Sequence, residues 1–374
     1  MLNFLKKFIL FFTPYVSFFE MKVDKFFQNI KSTDSIFTIK KRLENLMQRD
    51  LIVVNVWLEK KFKGYLYLSK RARKKMYANT KKIVEKFNEF VKENPTNNND
   101  ERMAYLSQIA EFLKPGKYYE YIESSSFGKL LKNPDEEKLK GDCNQIVTLY
   151  IYLYSLKYSI EDLKIKLLPE HVCLHYNGTD IEATNGTFTK YKEFEHILPS
   201  TEIISTNLLD MNDFREDTQK ISERTMLKSA QLAFAISSLR SFVAKNLNIA
   251  YQNLGIAALN ANNFDTAIFY LSRTDEKENL KAAYKNGAIY YMNSENFQKA
   301  EFYADKCDDF EFKNDIKKSI ASKEYNRLAQ KVANVKTVEQ AKQYKYTYQK
   351  MLELAQKIGD ESLVNNVRDT LNKL

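Results

Sequence analysis

The strongest structural signals lie in residues 141–184, which begin with GDCNQIVTLYIYLY at 141–154 and end with HVCLHYNGTDIEAT at 171–184. In the first stretch, apolar residues recur at steps of three and four, a spacing that predicts an amphipathic helix with Cys143 in its first turn. A helix N-terminus favours the thiolate form of a cysteine through the helix dipole and through backbone N–H groups that have no partner there. The sequence therefore predicts a cysteine that is placed to act as a nucleophile.

The second stretch predicts a β-hairpin. Its residues alternate around Asn177 and Gly178, and Asn-Gly is the strongest short signal for a two-residue hairpin loop. Such a loop also sets the strand register. The implied pairs are Tyr176 with Thr179, His175 with Asp180, Cys173 with Glu182, and His171 with Thr184.

The two faces of this hairpin differ in character. The polar face carries His171 together with Glu182, its diagonal neighbour at roughly 7–8 Å between backbones, within reach of a long side chain. We therefore predict a nucleophile, a base and an orienting acid in the order Cys143, His171, Glu182. The opposite face, which we expect to belong to the core, carries Val172, Leu174, Tyr176, Ile181 and Ala183.

These residues resemble the transglutaminase-like superfamily of papain-like cysteine enzymes, in which a cysteine at a helix start is followed by a strand histidine and then by a strand acid. GDC at 141–143 looks like the nucleophile motif, PEHV at 169–172 like the base strand, and DIEAT at 180–184 like the acid strand. The chain departs from the family at the third position, where Glu182 and Ala183 stand in place of the usual Asp followed by Pro. The resemblance implies that Cys143 attacks a carbonyl carbon, that His171 shuttles the proton, and that Glu182 holds the imidazole.

The resemblance also implies an α+β fold class. A papain-like, transglutaminase-like core, with a helix packed on a small antiparallel sheet, would lie between a helical N-terminal region and a C-terminal helical array. The nearest likeness is to a bacterial branch in which such a core precedes tetratricopeptide repeats. The implied activity is that of a cysteine hydrolase or acyltransferase acting on amide or ester bonds of proteins or peptides. The alternative is a catalytically inactive adaptor that holds partners through the core and the repeats.

The polar residues also have other interpretations. A cysteine at a helix start is often a small core residue. A metal site is the second alternative, but His171 and His175 are four residues apart on a strand, about 13 Å, too far to share one zinc ion, and a site with Cys173 has no evident third ligand. Asp180 is an alternative acid, although the register pairs it with His175. We expect no metal and no cofactor, and we interpret His175 and His196 as surface or packing residues.

Composition sets outer bounds on the function. The chain has 374 residues, of which 44% are hydrophobic and 28% charged, as in a globular protein of about two or three domains. Only nine glycines occur, and neither a phosphate-binding loop nor a dinucleotide fingerprint is present, so the sequence offers no support for nucleotide chemistry. Three cysteines form no even-numbered disulfide framework, so we expect a reduced chain in the cytoplasm.

The N-terminal residues 1–20 are apolar and aromatic, with two lysines ahead of FILFF at 8–12. Pro14 interrupts the segment, no small-residue cleavage site follows, and the run is too short to span a bilayer. We expect a helix that packs on the protein or lies at a membrane surface. The alternatives are a secretion leader and a chain start at Met21.

Residues 21–100 form a basic, mainly helical region with a strand-like run, LIVVNVW, at 51–57. Lysine and arginine concentrate at 70–75 and 81–82, the sharpest part of the net charge of +10. Such a run is usually a solvated helix face. Salt-dependent binding to nucleic acid or to a membrane surface is the third functional hypothesis, although no nucleic-acid fold signature accompanies the run. The polar stretch 94–100 is the predicted linker to the core at 101–205.

Residues 206–374 are expected to form a helical repeat domain that binds a protein or peptide partner. It would begin with a long helix at about 217–245 and include helices at 325–333 and 338–358, with 360–374 as a polar cap. The pattern resembles tetratricopeptide repeats, one residue short of the usual spacing and without the closing proline. Tyr251, Leu254, Gly255, Ala258, Phe264 and Ala267 recur at one constant step along the chain as Tyr284, Gly287, Ala288, Tyr291, Phe297 and Ala300.

Overall fold

The structure is a computed structural model, and it describes residues 10–30, 34–96, 99–193, 196–211 and 221–374. Parts of the N-terminal apolar segment, of the linker at 94–100 and of the helix expected at 217–245 lie outside the described residues. The chain forms two compact units, Met1–Ala250 and Tyr251–Leu374. The segments 21–100 and 101–205 thus belong to one unit, together with residues 206–250, which the sequence pattern assigns to the repeats.

The first unit combines helices with a small sheet, so the expected mixture of helices and antiparallel strands is confirmed. Its helices are α1 (Phe18–Gln28), α2 (Ile36–Leu58), α3 (Lys70–Glu93), α4 (Glu101–Phe112), α5 (Phe127–Leu130), α6 (Cys143–Ser155), α7 (Ile203–Leu209) and α8 (Glu223–Ile236). Its strands are β1 (Tyr119–Tyr121), β2 (Leu139–Gly141), β3 (Lys164–Leu168), β4 (His171–Tyr176), β5 (Thr179–Glu182), β6 (Thr187–Thr189) and β7 (His196–Pro199).

The sheet that carries the predicted hairpin has the order β6-β5-β4-β3-β7 and is antiparallel throughout, whereas β1 and β2 form a separate parallel pair. The predicted register is confirmed, because His175 lies opposite Asp180 and Tyr176 lies opposite Thr179. Asn177 and Gly178 have φ values of 46° and 79°, as the mirror-image turn of a two-residue hairpin requires. The face predicted to belong to the core is buried at Val172, Leu174, Ile181 and Ala183.

Two of the four predicted pairs are absent from the ladder. Pairing of β4 with β5 ends at Leu174 and Ile181, so neither Cys173 and Glu182 nor His171 and Thr184 are paired, and β5 itself ends at Glu182. The chain turns instead, because the Glu182 carbonyl accepts the N–H groups of Asn185 at 3.4 Å and Gly186 at 2.8 Å. Gly186 has a φ of 74°, and a Cβ on it would lie 2.9 Å from the Ala110 carbonyl oxygen, so glycine is required for this turn.

The prediction of a strand at residues 51–57 is wrong, because this run is the second half of helix α2. Asp50 has non-helical angles, φ −168° and ψ 87°, and its carboxylate accepts the Val53 N–H at 3.0 Å, which restarts the helix after a kink. All residues from Leu51 to Leu58 are buried. A helix that is buried on every side has no polar face, so the apolar run lacks the period that identifies a helix.

The basic run at 70–75 is used partly inside the fold. Arg73 is buried, and its Nε donates to Glu20 Oε1 at 2.8 Å, while its terminal nitrogens donate to the carbonyls of Leu68 at 2.7 Å and Pro14 at 2.6 Å. Lys70 Nζ donates to the Thr13 carbonyl at 2.6 Å. These two cations therefore hold the chain around residues 13–20 against α3. Among the described residues, no helix combines the length and the apolar character needed to cross a membrane.

The long helix expected at about 217–245 is interrupted in its described part. α8 ends at Ile236, and the next helix begins at Arg240. The break is stabilised by Glu202, whose carboxylate accepts the Ser237 hydroxyl at 3.0 Å and the Ser238 N–H at 2.6 Å. A carboxylate from a distant segment thus binds the backbone at the point where the helix stops.

The second unit is an array of helices. Helices expected at 325–333 and 338–358 are present, the second of them in two parts. The elements are α9 (Arg240–Asn260), within which the boundary between the units falls, α10 (Phe264–Leu271), α11 (Lys277–Asn293), α12 (Phe297–Asp305), α13 (Phe310–Val332), α14 (Val338–Gln343), α15 (Lys345–Ile358) and α16 (Glu361–Asn372).

Two helix pairs of this array contain the same turn at equivalent positions of the repeated sequence. Asn263 and Asn296 cap α10 and α12, each accepting the N–H three residues later at 3.3 Å. Each cap follows a residue with positive φ, at positions 262 and 295. In each pair, the two helices approach closely at a glycine. A Cβ added to Gly255 would lie 2.5 Å from Leu271, and one added to Gly287 would lie 2.5 Å from Tyr303. The two glycines are not at equivalent positions of the repeated sequence. When the turns are aligned, Gly287 corresponds to Leu254, the residue before Gly255.

Candidate cysteine–histidine–acid site

The Cys143 thiol is placed by a tightly capped helix start. Asp142 is the N-cap of α6 and accepts the Asn144 N–H at 2.9 Å, while the Gln145 side chain accepts the Asp142 N–H at 2.9 Å. Gly141 precedes the cap, where a Cβ would lie 2.9 Å from Leu130 and 3.1 Å from Gln145. The predicted helix start at Cys143 is confirmed, and the sulfur lies half-buried in its first turn.

The structure brings Cys143, His171 and Glu182 together in one site. His171 Nε2 lies 2.6 Å from Glu182 Oε2, and Cys143 is the largest single influence that raises the pKa of the same ring, so the thiol lies beside it. The three residues come from α6, β4 and β5, which are the elements that the sequence pattern predicts for them.

The protonation of the site follows from the interactions of the His171 ring. Its interactions with Cys143 and then with Glu182 raise the pKa of His171 to about 10, although partial burial acts in the opposite direction. Burial alone would raise the pKa of Glu182, but the hydrogen bonds from His171 and Thr184 outweigh it, and this pKa is lowered. Both shifts favour a charged imidazole paired with a charged carboxylate.

Two residues around Glu182 are missed by the sequence reasoning. Thr184 donates its N–H and its hydroxyl to Glu182 Oε1 at 3.1 and 2.5 Å. The Tyr191 hydroxyl donates to Glu182 Oε2 at 3.0 Å. Thr184 lies two residues after Glu182, so a local turn bond is open to inference from the sequence. Tyr191 follows β6 in an irregular segment, and no local pattern indicates it.

A second acid–histidine pair lies on the same sheet. Asp180 accepts from His175 Nδ1 at 2.6 Å and from Lys166 Nζ at 2.6 Å, so it does not serve His171. Cys173 is fully buried, and burial together with Asp180 raises the pKa of its thiol to about 12. His196 faces the Phe242 ring at 6.4 Å between ring centroids. Within the described residues, no group of three or more His, Cys, Asp or Glu side chains is arranged to hold a metal ion.

Two carboxylates, those of Asp142 and Asp210, lie near the start of α6. Burial and the nearby Asp210 raise the pKa of Asp142 to about 7. Asp210 Oδ2 accepts the side-chain amides of Asn144 at 3.2 Å and Gln145 at 3.3 Å. Both amides are thus engaged in holding the helix start. Tyr121, at the end of β1, is 51% exposed. Its pKa is raised by partial burial of its hydroxyl and then by Cys143, so this aromatic side chain lies near the sulfur.

A scan against models of protein families and searches of curated proteins and of solved structures found no match to this chain. Its function is therefore inferred from the chemistry of the site.

Proposed function

We propose that this chain is a cysteine hydrolase or acyltransferase of the transglutaminase-like type, with a papain-like core that acts on amide or ester bonds of protein or peptide substrates. The observation that carries the proposal is the 2.6 Å hydrogen bond between His171 Nε2 and Glu182 Oε2, with Cys143 beside the same ring. Nucleophile, base and orienting acid within hydrogen-bond reach are the signature of covalent catalysis.

The reaction begins with the Cys143 sulfur as nucleophile. A protonated histidine beside a cysteine is the general arrangement that activates the thiolate. The sulfur attacks the carbonyl carbon, and a C–S bond forms as the carbonyl π electrons move to oxygen. The Cys143 N–H, in the first turn of α6, is placed to donate to that oxyanion, because N–H groups there have no intrahelical partner.

The intermediate collapses when the C–N or C–O bond of the substrate breaks. His171 gives its proton to the leaving nitrogen or oxygen, and an acyl thioester remains on Cys143. His171, now neutral, takes a proton from the acceptor, which attacks the thioester and releases the thiol. Water as acceptor gives hydrolysis, including deamidation, and an amine gives transfer. Glu182 holds the ring throughout and stabilises its positive charge.

The helical array is proposed to be a set of tetratricopeptide-like repeats that binds a partner or the substrate protein. The repeated turns at 262–263 and 295–296 and the close crossings at Gly255 and Gly287 support this assignment. Phe269 and Phe302, which occupy equivalent positions on α10 and α12, are 51% and 54% exposed. Aromatic side chains repeated on a surface are well suited to bind a protein.

The test is the rate of alkylation of each cysteine by iodoacetamide as a function of pH, measured by peptide mass spectrometry on the folded protein. Cys143 should react rapidly near pH 6. Cys173 and Cys307, which are 0% and 2% exposed, serve as internal controls for folding because they should stay unlabelled.

Two variants sharpen this test. His171→Ala should slow the labelling of Cys143 at pH 6 by at least about tenfold, since the activating imidazolium is lost. His196→Ala removes an imidazole from β7 of the same sheet and should change nothing. If Cys143 reacts slowly in the wild type and gains reactivity only above about pH 8, as an ordinary thiol does, the enzyme proposal fails and the inactive adaptor takes its place.

A further inference from the structure

The Glu182 carboxylate is held by more donors than the histidine alone. Its Oε1 accepts both donors of Thr184, and its Oε2 accepts from His171 and from the Tyr191 hydroxyl. The Tyr191 hydroxyl lies 3.0 Å from the same oxygen that His171 Nε2 approaches at 2.6 Å. Tyr191 therefore shares the negative charge that faces His171 and is positioned to influence the imidazole through Glu182.

Tyr191 is itself anchored by a buried ion pair. Lys166 Nζ lies 2.6 Å from Asp180 Oδ2, and both side chains are buried. The Tyr191 N–H donates to Asp180 Oδ2 at 2.8 Å, and the Tyr191 carbonyl accepts from Lys166 Nζ at 2.9 Å. Both main-chain polar groups of Tyr191 are thus bound to side chains from β3 and β5. Tyr191 lies outside regular structure, yet both of its main-chain polar groups are hydrogen-bonded.

We propose that Tyr191, fixed through its backbone by Lys166 and Asp180, is a positioning residue that shares the charge of Glu182 Oε2 and thereby limits the proton affinity of the His171 ring. The inference concerns the proposed cysteine enzyme and rests on that proposal for its functional meaning. Its physical basis is the effect of the Tyr191 hydroxyl on the charge of the Glu182 carboxylate. A hydroxyl that donates to a carboxylate oxygen draws charge from it, so the oxygen becomes a weaker acceptor toward its other partner.

The sign of the effect distinguishes this role from simple packing. In Tyr191→Phe, the ring and its burial are kept, but Oε2 no longer shares its charge with a hydroxyl. His171 should then bind its proton more tightly, and its pKa should rise by about 0.5–1 unit, the equivalent of one ordinary hydrogen bond. The titratable groups that face His171 are Cys143 from α6 and Glu182 from β5, and neither is altered by the substitution.

The experiment is an NMR titration of the imidazole ring carbons in a Cys143→Ala background. This background removes the interaction that contributes most to the high pKa of His171 and therefore brings the titration to a lower pH. The chain has three histidines, and His171 can be assigned by the signal lost in His171→Gln. The measurement requires no substrate and no activity, so it can fail or succeed independently of the alkylation test.

A rise of the His171 pKa in Tyr191→Phe is the expected result. No change would mean that the hydroxyl does not act on the pair, and a fall would mean that it strengthens the pair; either result overturns the proposal. Lys166→Met is the second variant: it releases the Tyr191 carbonyl, and its His171 pKa should move in the same direction as in Tyr191→Phe.

The route through the carboxylate is tested by a double-mutant cycle. In a Glu182→Gln background, the charge through which Tyr191 acts is gone, so adding Tyr191→Phe should leave the His171 pKa unchanged. A shift as large as the one in the parent background would show that Tyr191 acts on the ring by another path, and the proposed positioning role would be wrong.

Discussion

Replacing Glu182 by Gln should lower the pKa of His171 by about 1–2 units. The imidazole and the carboxylate are joined by a hydrogen bond of 2.6 Å between Nε2 and Oε2, and the Glu182 side chain is only 6% exposed, so solvent and salt screen the interaction little. A hydrogen bond to a charged group contributes about 1.5–3 kcal/mol, and one pKa unit corresponds to about 1.4 kcal/mol. Gln keeps the shape of the side chain and removes the charge.

The expected titration of His171 therefore moves from about 10 in the wild type to about 8–9 in Glu182→Gln. Ring-carbon NMR of the three histidines measures it directly, with His196 as an internal reference that the substitution should not affect. The reactivity of Cys143 toward iodoacetamide should fall in the same variant between about pH 8 and 10, where the wild-type ring keeps its proton and the variant ring loses it.

Either of two results would contradict this role of Glu182. A wild-type His171 that titrates near its ordinary value of 6.5 would mean that the interactions with Cys143 and Glu182 do not stabilise the charged ring. An unchanged pKa in Glu182→Gln would mean that the carboxylate orients the ring without stabilising its charge.

Three further predictions concern stability. Glu20→Gln leaves the buried Arg73 without a charged partner and should lower the free energy of unfolding by about 3–5 kcal/mol in urea titrations; a loss under about 1 kcal/mol, as for an exposed pair, would contradict this. Gly287→Ala places a Cβ at 2.5 Å from Tyr303 and should cost about 1–3 kcal/mol in the same assay, whereas a neutral result would show that the helices separate freely. Burial raises the pKa of Asp142 to about 7, so the native state keeps a proton that the unfolded chain releases near pH 4, and the wild-type stability should fall between about pH 4 and 7. Asp142→Asn should lack this part of the pH dependence; identical profiles would refute the raised pKa.

The elements of the candidate site can be predicted from local sequence. The start of α6 at Cys143, the two-residue turn at Asn177 and Gly178, and the pairing of His175 with Asp180 all follow from interactions among residues close in the chain. Turn and cap preferences, together with the side-chain period, determine such features. The repeated turns of the second unit follow in the same way, because each turn and its cap recur with the sequence.

The errors arise where distant residues decide the local structure. The run at 51–57 is rich in β-branched residues and predicts a strand, but it forms a helix that is buried on every side. The helix expected at 217–245 is broken at Ser237, whose hydroxyl and following N–H are bound by the distant Glu202. The basic run at 70–75 has the composition of a solvated face, yet Arg73 is buried against Glu20.

Local sequence is enough to define helix α6 and the hairpin and to select Cys143, His171 and Glu182 as a set. The packing of β4, which brings the ring of His171 beside Cys143, and the hydrogen bond from Tyr191 to Glu182 appear only in the folded chain. The reason is physical: caps, turns and side-chain period are local and can be read along the chain. A hydrogen bond between residues of separate elements depends on how those elements pack, and that arrangement is a property of the whole core.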